Sequence, residues 1–218
     1  NTPPVQYYFY ETTGNPGGTS SGWVANTVYA DTALSPNTQY RYQVKARDSA
    51  SPPNETGYSL AVARYTLMPA PTGLQALNVT ATSIDLKAIG SFPNLALGQS
   101  GVKFYSDTPG GNAGINEWVK STTDQATPLT PNTDYSFRVK SRNGDATETD
   151  WAPEQITATT LAAKPTPQAY SPISPQGIRA NWGANANPVG TKYLCFELIT
   201  GKKSGWIEDT NWTLAGLS

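Results

Sequence analysis

Residues 34–47 read Leu-Ser-Pro-Asn-Thr-Gln-Tyr-Arg-Tyr-Gln-Val-Lys-Ala-Arg, and residues 129–142 read Leu-Thr-Pro-Asn-Thr-Asp-Tyr-Ser-Phe-Arg-Val-Lys-Ser-Arg. In both stretches a Pro-Asn-Thr turn is followed by alternating apolar and polar residues, which is typical of a strand with one buried face. The two copies begin about one small domain apart along the chain. The sequence therefore indicates an array of repeated domains, and its function is to be sought among proteins built as arrays.

A tryptophan stands eleven residues before the leucine of each copy, and the same pair occurs a third time near the end of the chain: Trp23 and Leu34, Trp118 and Leu129, Trp206 and Leu217. Constant spacing beside loops of variable length suggests a fixed packing geometry. The tryptophans are therefore expected to pack inside each unit. The proline-containing stretches 68–73 and 162–167 are interpreted as short, stiff linkers.

This spacing divides the chain into three units. Residues 69–163 form a complete unit, residues 1–68 lack the first two strands of one, and residues 164–218 lack the last two. The ends are explained either by a segment of a longer array or by completion in trans, in which a neighbouring copy donates strands. The first interpretation is favoured, because a large open core is unfavourable in water.

Composition favours short strands and excludes several classes of protein. The chain has 218 residues with 18 Pro, 19 Gly and no His, only 14% charged residues and a net charge of −1. Such a chain is poor in helix formers and lacks the basic footprint of a nucleic-acid binder. No membrane span or signal peptide is recognisable, so the chain is interpreted as mature or as a fragment. One cysteine cannot form an internal disulfide, and no metal or cofactor is expected.

The middle unit contains seven strand-like stretches separated by turns, which predicts a two-sheet antiparallel β-sandwich. The predicted strands are residues 74–78, 83–87, 102–107, 118–120, 124–127, 135–142 and 155–160.

The motif Leu-x-Pro-x-Thr-x-Tyr-x-aromatic-x-Val resembles the corner and sixth strand of fibronectin type III domains. The resemblance implies an all-β chain of tandem immunoglobulin-like (fibronectin type III) antiparallel β-sandwiches. It further implies that Leu34 and Leu129 fill the corner, and that the hydroxyls of Tyr40 and Tyr135 bond back to the corner backbone. Trp182 matches the tryptophan that the family carries on its second strand, where the middle unit has Leu86 or Ala88.

No arrangement of residues points to an enzyme. Histidine is absent, so the usual nucleophilic triad cannot form. The acidic residues fall mostly in turns, and a small sandwich offers no deep cleft in which two carboxylates could face each other. The expected role is non-catalytic.

Aromatic and basic side chains are the candidates for surface contact, and they are Trp151, Tyr7, Phe9, Arg138, Lys140 and Arg142. Exposed rings can stack on sugars or proteins. The basic row either binds an anionic polymer or forms a solvated strand face balanced by carboxylates on adjacent strands. Residues 7–10 are all aromatic, so the alternation pattern does not decide which of them face the core and which face solvent.

Three further features carry two interpretations each. The loop Asn143-Gly144-Asp145 resembles the integrin-binding Arg-Gly-Asp loop of some fibronectin modules, but Asn replaces Arg, and a simple turn is favoured. Asp145, Glu148 and Asp150 form either a calcium site or a solvated acidic loop, and the latter is favoured. Cys195 is either a small buried residue or the site of an intermolecular disulfide.

Three Asn-x-Ser/Thr sequences are candidate glycosylation sites: Asn54, Asn78 and Asn211. Taken together, the features predict a structural or adhesive segment of a secreted or cell-surface multi-module protein or extracellular fibre. The alternative is an accessory module array of a secreted polysaccharide-degrading enzyme. The expected partners are other protein modules or copies of the chain, with polysaccharide as a further candidate.

Overall fold

The computed structural model describes residues 4–171 and 173–216, and this part of the chain contains strands, turns and loops but no helix. The expected all-β fold is confirmed. The strands form three successive groups, named here the first, middle and third units after the divisions inferred from the sequence.

The first unit is a single four-stranded antiparallel sheet. Its strands are β1 (Gln6–Glu11), β2 (Trp23–Val24), β3 (Gln39–Arg47) and β4 (Val62–Tyr65), in the order β2-β1-β3-β4. The period-two pattern of the repeated string places Tyr40, Tyr42 and Val44 on one face of β3 and Lys45 on the other.

The middle unit is a complete sandwich, and all seven of its predicted strands are present. They are β5 (Gly73–Val79), β6 (Ile84–Ile89), β7 (Gly101–Ser106), β8 (Trp118–Val119), β9 (Thr123–Ala126), β10 (Asp134–Arg142) and β11 (Ile156–Thr159). One sheet has the order β5-β6-β9 and the other the order β8-β7-β10-β11. Between them lies a buried core that includes Ile84, Leu86, Phe104, Phe137 and Val139, which is the main stabilising element of the unit.

The third unit has six strands: β12 (Thr166–Gln168), β13 (Ile173–Ser174), β14 (Gly177–Gly183), β15 (Tyr193–Phe196), β16 (Lys203–Ile207) and β17 (Asn211–Ala215). Strand β14 pairs with β12, β13 and β17, and β15 pairs with β16. Trp182 is buried on β14 against Tyr193, with ring centres 5.9 Å apart. Ala88 holds the same position in the middle unit, since its amide donates to the carbonyl just before the paired strand β9, as that of Trp182 does just before the paired strand β17.

The repeated corner has the same hydrogen bond in the first and middle units. The hydroxyl of Tyr40 accepts the amide of Ser35 at 2.9 Å, and the hydroxyl of Tyr135 accepts the amide of Thr130 at 2.9 Å. Both tyrosines are buried, and Leu129 is buried beside its corner. In each corner the phenol oxygen accepts a hydrogen bond from a backbone N–H group that would otherwise be unpaired. This bond fixes the path of the chain into strands β3 and β10. Leu34 is half-buried, and Leu217 lies outside the described residues.

The recurring tryptophans differ from expectation, because none is among the buried residues of a core. Trp118 pairs with Lys103 in the β7–β8 register and therefore lies on the outer face of its sheet. Its ring is covered there by basic side chains, and Trp23 is covered in the same way. Trp206 is 69% exposed on β16. In the first and middle units the constant spacing thus reflects packing on the outside of the sheet.

Candidate interaction surfaces

The outer face of the middle unit carries an alternating stack of cations and rings. The guanidinium carbon of Arg142 lies 4.5 Å from the centre of the Trp118 ring, and that of Arg138 lies 4.4 Å from the centre of the Trp151 ring. Lys140 stands between them, with its Nζ 4.7 Å from Trp151 and 5.8 Å from Trp118. Cations over ring faces attract the π electrons and hold both partners in place. We call this arrangement the cation–ring stack.

Carboxylates also meet the same basic row. Arg138 pairs with Asp107 at 3.0 Å, and Lys140 pairs with Glu148. Of the two interpretations of the basic row, the geometry agrees with the balanced strand face, because both cations already have ring and carboxylate partners. Trp151, Arg138, Lys140 and Arg142 are thus brought together into one surface.

The first unit repeats the stack with different partners. Arg47 lies 4.3 Å from the centre of the Trp23 ring, and Lys45 lies 5.3 Å from Trp23 and 5.2 Å from Tyr58. Lys45 also pairs with Glu55 at 2.6 Å.

Tyr7 and Phe9 lie away from this stack. Phe9 pairs with Val44 in the β1–β3 register, so both point to the face opposite Lys45. Phe9 stacks on Tyr29 with ring centres 5.8 Å apart. Tyr7 and Phe9 are half-buried and do not join Trp151 in one surface.

The second surface is the junction between the first and middle units, and its centre is Asn37. This side chain is fully buried, and its backbone has a positive φ of 45°. Its Nδ2 donates to the carbonyl of Pro93 at 2.8 Å, and its side-chain amide exchanges hydrogen bonds with the Ser100 hydroxyl at 2.9 and 3.1 Å. Its Oδ1 accepts the amide of Gly144 at 2.9 Å. One buried amide therefore links the corner of the first unit to two loops of the middle unit.

The loop Asn143-Gly144-Asp145 closes the other side of this junction. The side-chain amide of Asn143 donates to the carbonyls of Tyr65 and Thr66. The Asp145 carboxylate accepts a hydrogen bond from the backbone amide of Tyr65 at 2.8 Å. A Cβ at Gly144 would lie 2.5 Å from the Tyr65 ring. The expected turn is present, since the amide of Ala146 donates to the carbonyl of Asn143. Asn143 and Gly144 are buried at the junction, which does not display the loop as the integrin interpretation requires.

The same contact recurs between the middle and third units. Asn132, the equivalent of Asn37 in the repeated string, has a φ of 46° and donates to the hydroxyl of Thr191 at 2.9 Å. Ser100 stands directly before β7, the strand after β6, and Thr191 stands two residues before β15, the strand after β14. Asn132 is exposed where Asn37 is buried. The second junction is therefore the simpler of the two.

Two features of the sequence point to the junction. Asn37 and Asn132 are identical residues of the repeated string, and the unit after each has a hydroxyl residue, Ser100 or Thr191, at an equivalent position. The sequence interpretation missed it, because both asparagines also fit an ordinary turn.

The remaining candidate residues have local partners. Asp145 and Glu148 are engaged with different groups, and no group of three or more candidate metal ligands occurs in the described ranges. Cys195 is half-buried on β15, and burial raises the pKa of its thiol.

The three candidate glycosylation residues also make hydrogen bonds. Asn54 and Asn78 are exposed and donate to Asp48 and Asp85, and Asn211 accepts from Arg179.

A buried carboxylate holds the end of β1 in the first unit. Glu11 accepts the hydroxyl of Thr13 at 2.6 Å and the amides of Thr13 and Gly14 at 2.8 Å each. Burial raises the pKa of Glu11, but these hydrogen bonds outweigh it and leave the pKa below its ordinary value. Glu11 is therefore an ionised group that stabilises the loop after β1.

The fold and these two surfaces define a class. The described residues form consecutive antiparallel β-sheet units, and the middle unit is an immunoglobulin-like sandwich whose tyrosine corner resembles that of fibronectin type III domains. No helix long and apolar enough to span a membrane occurs in residues 4–171 and 173–216.

Comparison with known proteins finds a similar sequence and a larger number of similar structures, two of which are described below. No protein-family profile matches the chain. The chain is 25% identical over 218 residues to exoglucanase B of Cellulomonas fimi, a match that covers 93% of this chain and 19% of the exoglucanase. The chain thus spans about a fifth of the length of that relative.

The two structures are more distant. The FN1–FN3 domains of chicken CNTN1 have a TM-score of 0.34 and 19% identity, and the match covers 73% of this chain and 55% of theirs. The family 28 exopolygalacturonase of Yersinia enterocolitica has a TM-score of 0.32 and 19% identity, with 45% of this chain and 21% of the enzyme covered.

Proposed function

We propose that this chain is a non-catalytic spacer, in which the junction at Asn37 holds consecutive modules at a fixed mutual orientation. The observation that carries the proposal is the buried network joining Asn37, Ser100 and Gly144 across two modules. Buried polar groups with all their partners restrict the geometry more than apolar contacts do, since any rotation leaves an amide unpaired.

The parent of such a spacer is a secreted polysaccharide-degrading enzyme. The similarity to exoglucanase B over most of this chain supports this setting, and the chain corresponds to about a fifth of that protein. A chain without histidine and with its carboxylates in turns and ion pairs suits a segment that separates other domains. The setting is extracellular.

Nitrogen-15 relaxation of the purified chain tests the spacer role. If the junction is rigid, amides of β3 and β10 report one common rotational diffusion tensor. Asn37→Ala is expected to separate the two modules into independently tumbling bodies, while Asn132→Ala leaves β3 and β10 coupled. Independent tumbling of the unmodified modules would overturn the proposal.

A second measurement addresses the non-catalytic role. The chain is incubated with cellulose and with pectin, and released reducing ends are counted. No release above the buffer control is expected, and hydrolysis that survives repurification would contradict the proposal.

A further inference from the structure

The outer faces of the first and middle units are built from equivalent positions, and one of the differences between them is a glutamine in place of an arginine. The repeated string aligns Lys45 with Lys140, and Gln43 of β3 with Arg138 of β10. In the middle unit Arg138 lies over two rings, 5.0 Å from the centre of Tyr105 and 4.4 Å from that of Trp151. In the first unit a glutamine takes its place.

The rings at the corresponding positions of the first unit meet each other directly. Tyr10 precedes the end of β1 as Tyr105 precedes the end of β7, and Tyr58 lies in the same loop position as Trp151, because the residue after each donates its amide to the central valine of the neighbouring strand. The ring centres of Tyr10 and Tyr58 are 5.6 Å apart, with an angle of 34° between the rings.

Without the arginine this pair is more exposed than its counterpart in the middle unit, although Lys45 remains 5.2 Å from the centre of the Tyr58 ring. Tyr10 is 42% exposed and Tyr58 is 46% exposed, whereas Tyr105 and Trp151 are half-buried. The partly negative faces of uncovered rings attract groups that carry a positive edge, such as the axial C–H bonds on the flat side of a pyranose. The two rings lie close enough together for both to contact one such sugar.

The polar groups around the pair suit a neutral ligand. Lys45 and Glu55 form an ion pair with each other, and the Gln43 amide donates to the carbonyl of Ser59. The surroundings thus combine no net charge with donors and acceptors at the rim, which matches the hydroxyls of an uncharged sugar better than a charged polymer.

We propose that Tyr10 and Tyr58 form a stacking subsite for a pyranose unit of a neutral β-linked glucan. The choice of glucan rests on the enzyme setting proposed above. The subsite would keep the spacer close to the polymer, and the middle unit lacks it because Arg138 fills the equivalent place.

Titration of the chain with cellohexaose, followed by chemical shifts of ring and amide protons, tests the subsite. The largest shifts are expected at Tyr10, Tyr58 and Gln43. Tyr10→Ala and Tyr58→Ala should each weaken binding by about tenfold or more, and Tyr105→Ala should not change it.

A sharper test exchanges the glutamine of the first unit and the arginine of the middle unit. Gln43→Arg keeps both rings but installs the cation of the middle unit, and it should abolish binding while the backbone spectrum stays unchanged. Arg138→Gln should expose the face of Tyr105 while Lys140 stays over Trp151, and it should create a second, weaker site.

Each part of the proposal has a result that would contradict it. Absence of cellohexaose binding, or binding that Gln43→Arg leaves intact, would overturn the subsite. Equal affinity for maltohexaose would refute the choice of a β-linked glucan. Tumbling of the modules is measured on the same samples, so a failed subsite is distinguished from a failed spacer role.

Discussion

The side-chain amide of Asn37 lies 2.9 Å from the hydroxyl of Ser100, although the two residues are separated by 63 positions and belong to different units. The contact is fully enclosed, because Asn37 has no exposed surface and Ser100 is 1% exposed. It converts a turn motif, Pro-Asn-Thr, into the point at which one module is bonded to the next.

Replacing this asparagine should weaken the junction far more than replacing its repeat equivalent. Asn37→Ala leaves a buried hydroxyl and a buried amide unpaired, which costs about 2–4 kcal/mol. Asn132→Ala introduces the same strain at positive φ but removes one contact of an exposed side chain, and should cost about 1 kcal/mol. Thermal unfolding of both variants checks the difference, and equal effects would contradict the assigned role.

Adding one methyl group at Gly144 should open the junction. The new Cβ would lie 2.5 Å from the Tyr65 ring, so either the ring or the loop must move, at a cost of about 1–3 kcal/mol. Gly57→Ala is the matched control, because its Cβ meets nothing within 4 Å. Hydrogen exchange at the Gly144 and Tyr65 amides is the measurement. Unchanged protection in Gly144→Ala would show that the close approach does not hold the modules.

Removal of the corner hydroxyl should destabilise the middle unit. Tyr135→Phe leaves the amide of Thr130 without its acceptor in a partly buried turn, and about 1–2 kcal/mol of unfolding free energy should be lost. Tyr105→Phe, on the half-buried outer face, is the control and should stay within about 0.5 kcal/mol of the parent. Urea unfolding of both variants measures the effect, and a neutral Tyr135→Phe would refute it.

The stability of the first unit should fall in acid because of Glu11. Its pKa is lower in the folded state than its ordinary value of 4.5, so its ionised form stabilises the fold above that pH. This contribution is lost as the pH falls through the lowered folded pKa.

Hydrogen exchange of the β1 and β3 amides in Glu11→Gln tests this pH dependence. The deficit in free energy against the parent should be largest near neutral pH and should shrink below the ordinary pKa of Glu11. Glu154→Gln, at an exposed position, controls for the loss of one negative charge. A deficit that is constant from neutral to acid pH would contradict the assignment.

The strands of the middle unit could be predicted because period-two alternation and turn residues are local properties of the sequence. The repeated string predicted strand β10, and the resemblance to fibronectin type III domains implied the corner bond that Tyr135 makes. Both depend on residues close together in the chain.

The junction and the position of the tryptophans could not be predicted in this way. Asn37 and Gly144 meet only because two modules pack against each other, and the sequence of either loop indicates no more than a turn. Trp118 fitted an interior position by its size. On the outer face its ring is covered by the guanidinium of Arg142, which belongs to strand β10 and shields the ring from water.

The middle unit carries both halves of the asparagine–hydroxyl contact. Ser100 precedes β7, Asn132 precedes β10, and these strands run antiparallel with Gly101 opposite Arg142, so the two residues lie at opposite ends of one sandwich. A head-to-tail contact of this kind can repeat from one unit to the next along a chain. Chimeras can therefore be assembled by inserting or deleting whole units, provided that each inserted unit has a corner asparagine at one end and a serine or threonine at the other.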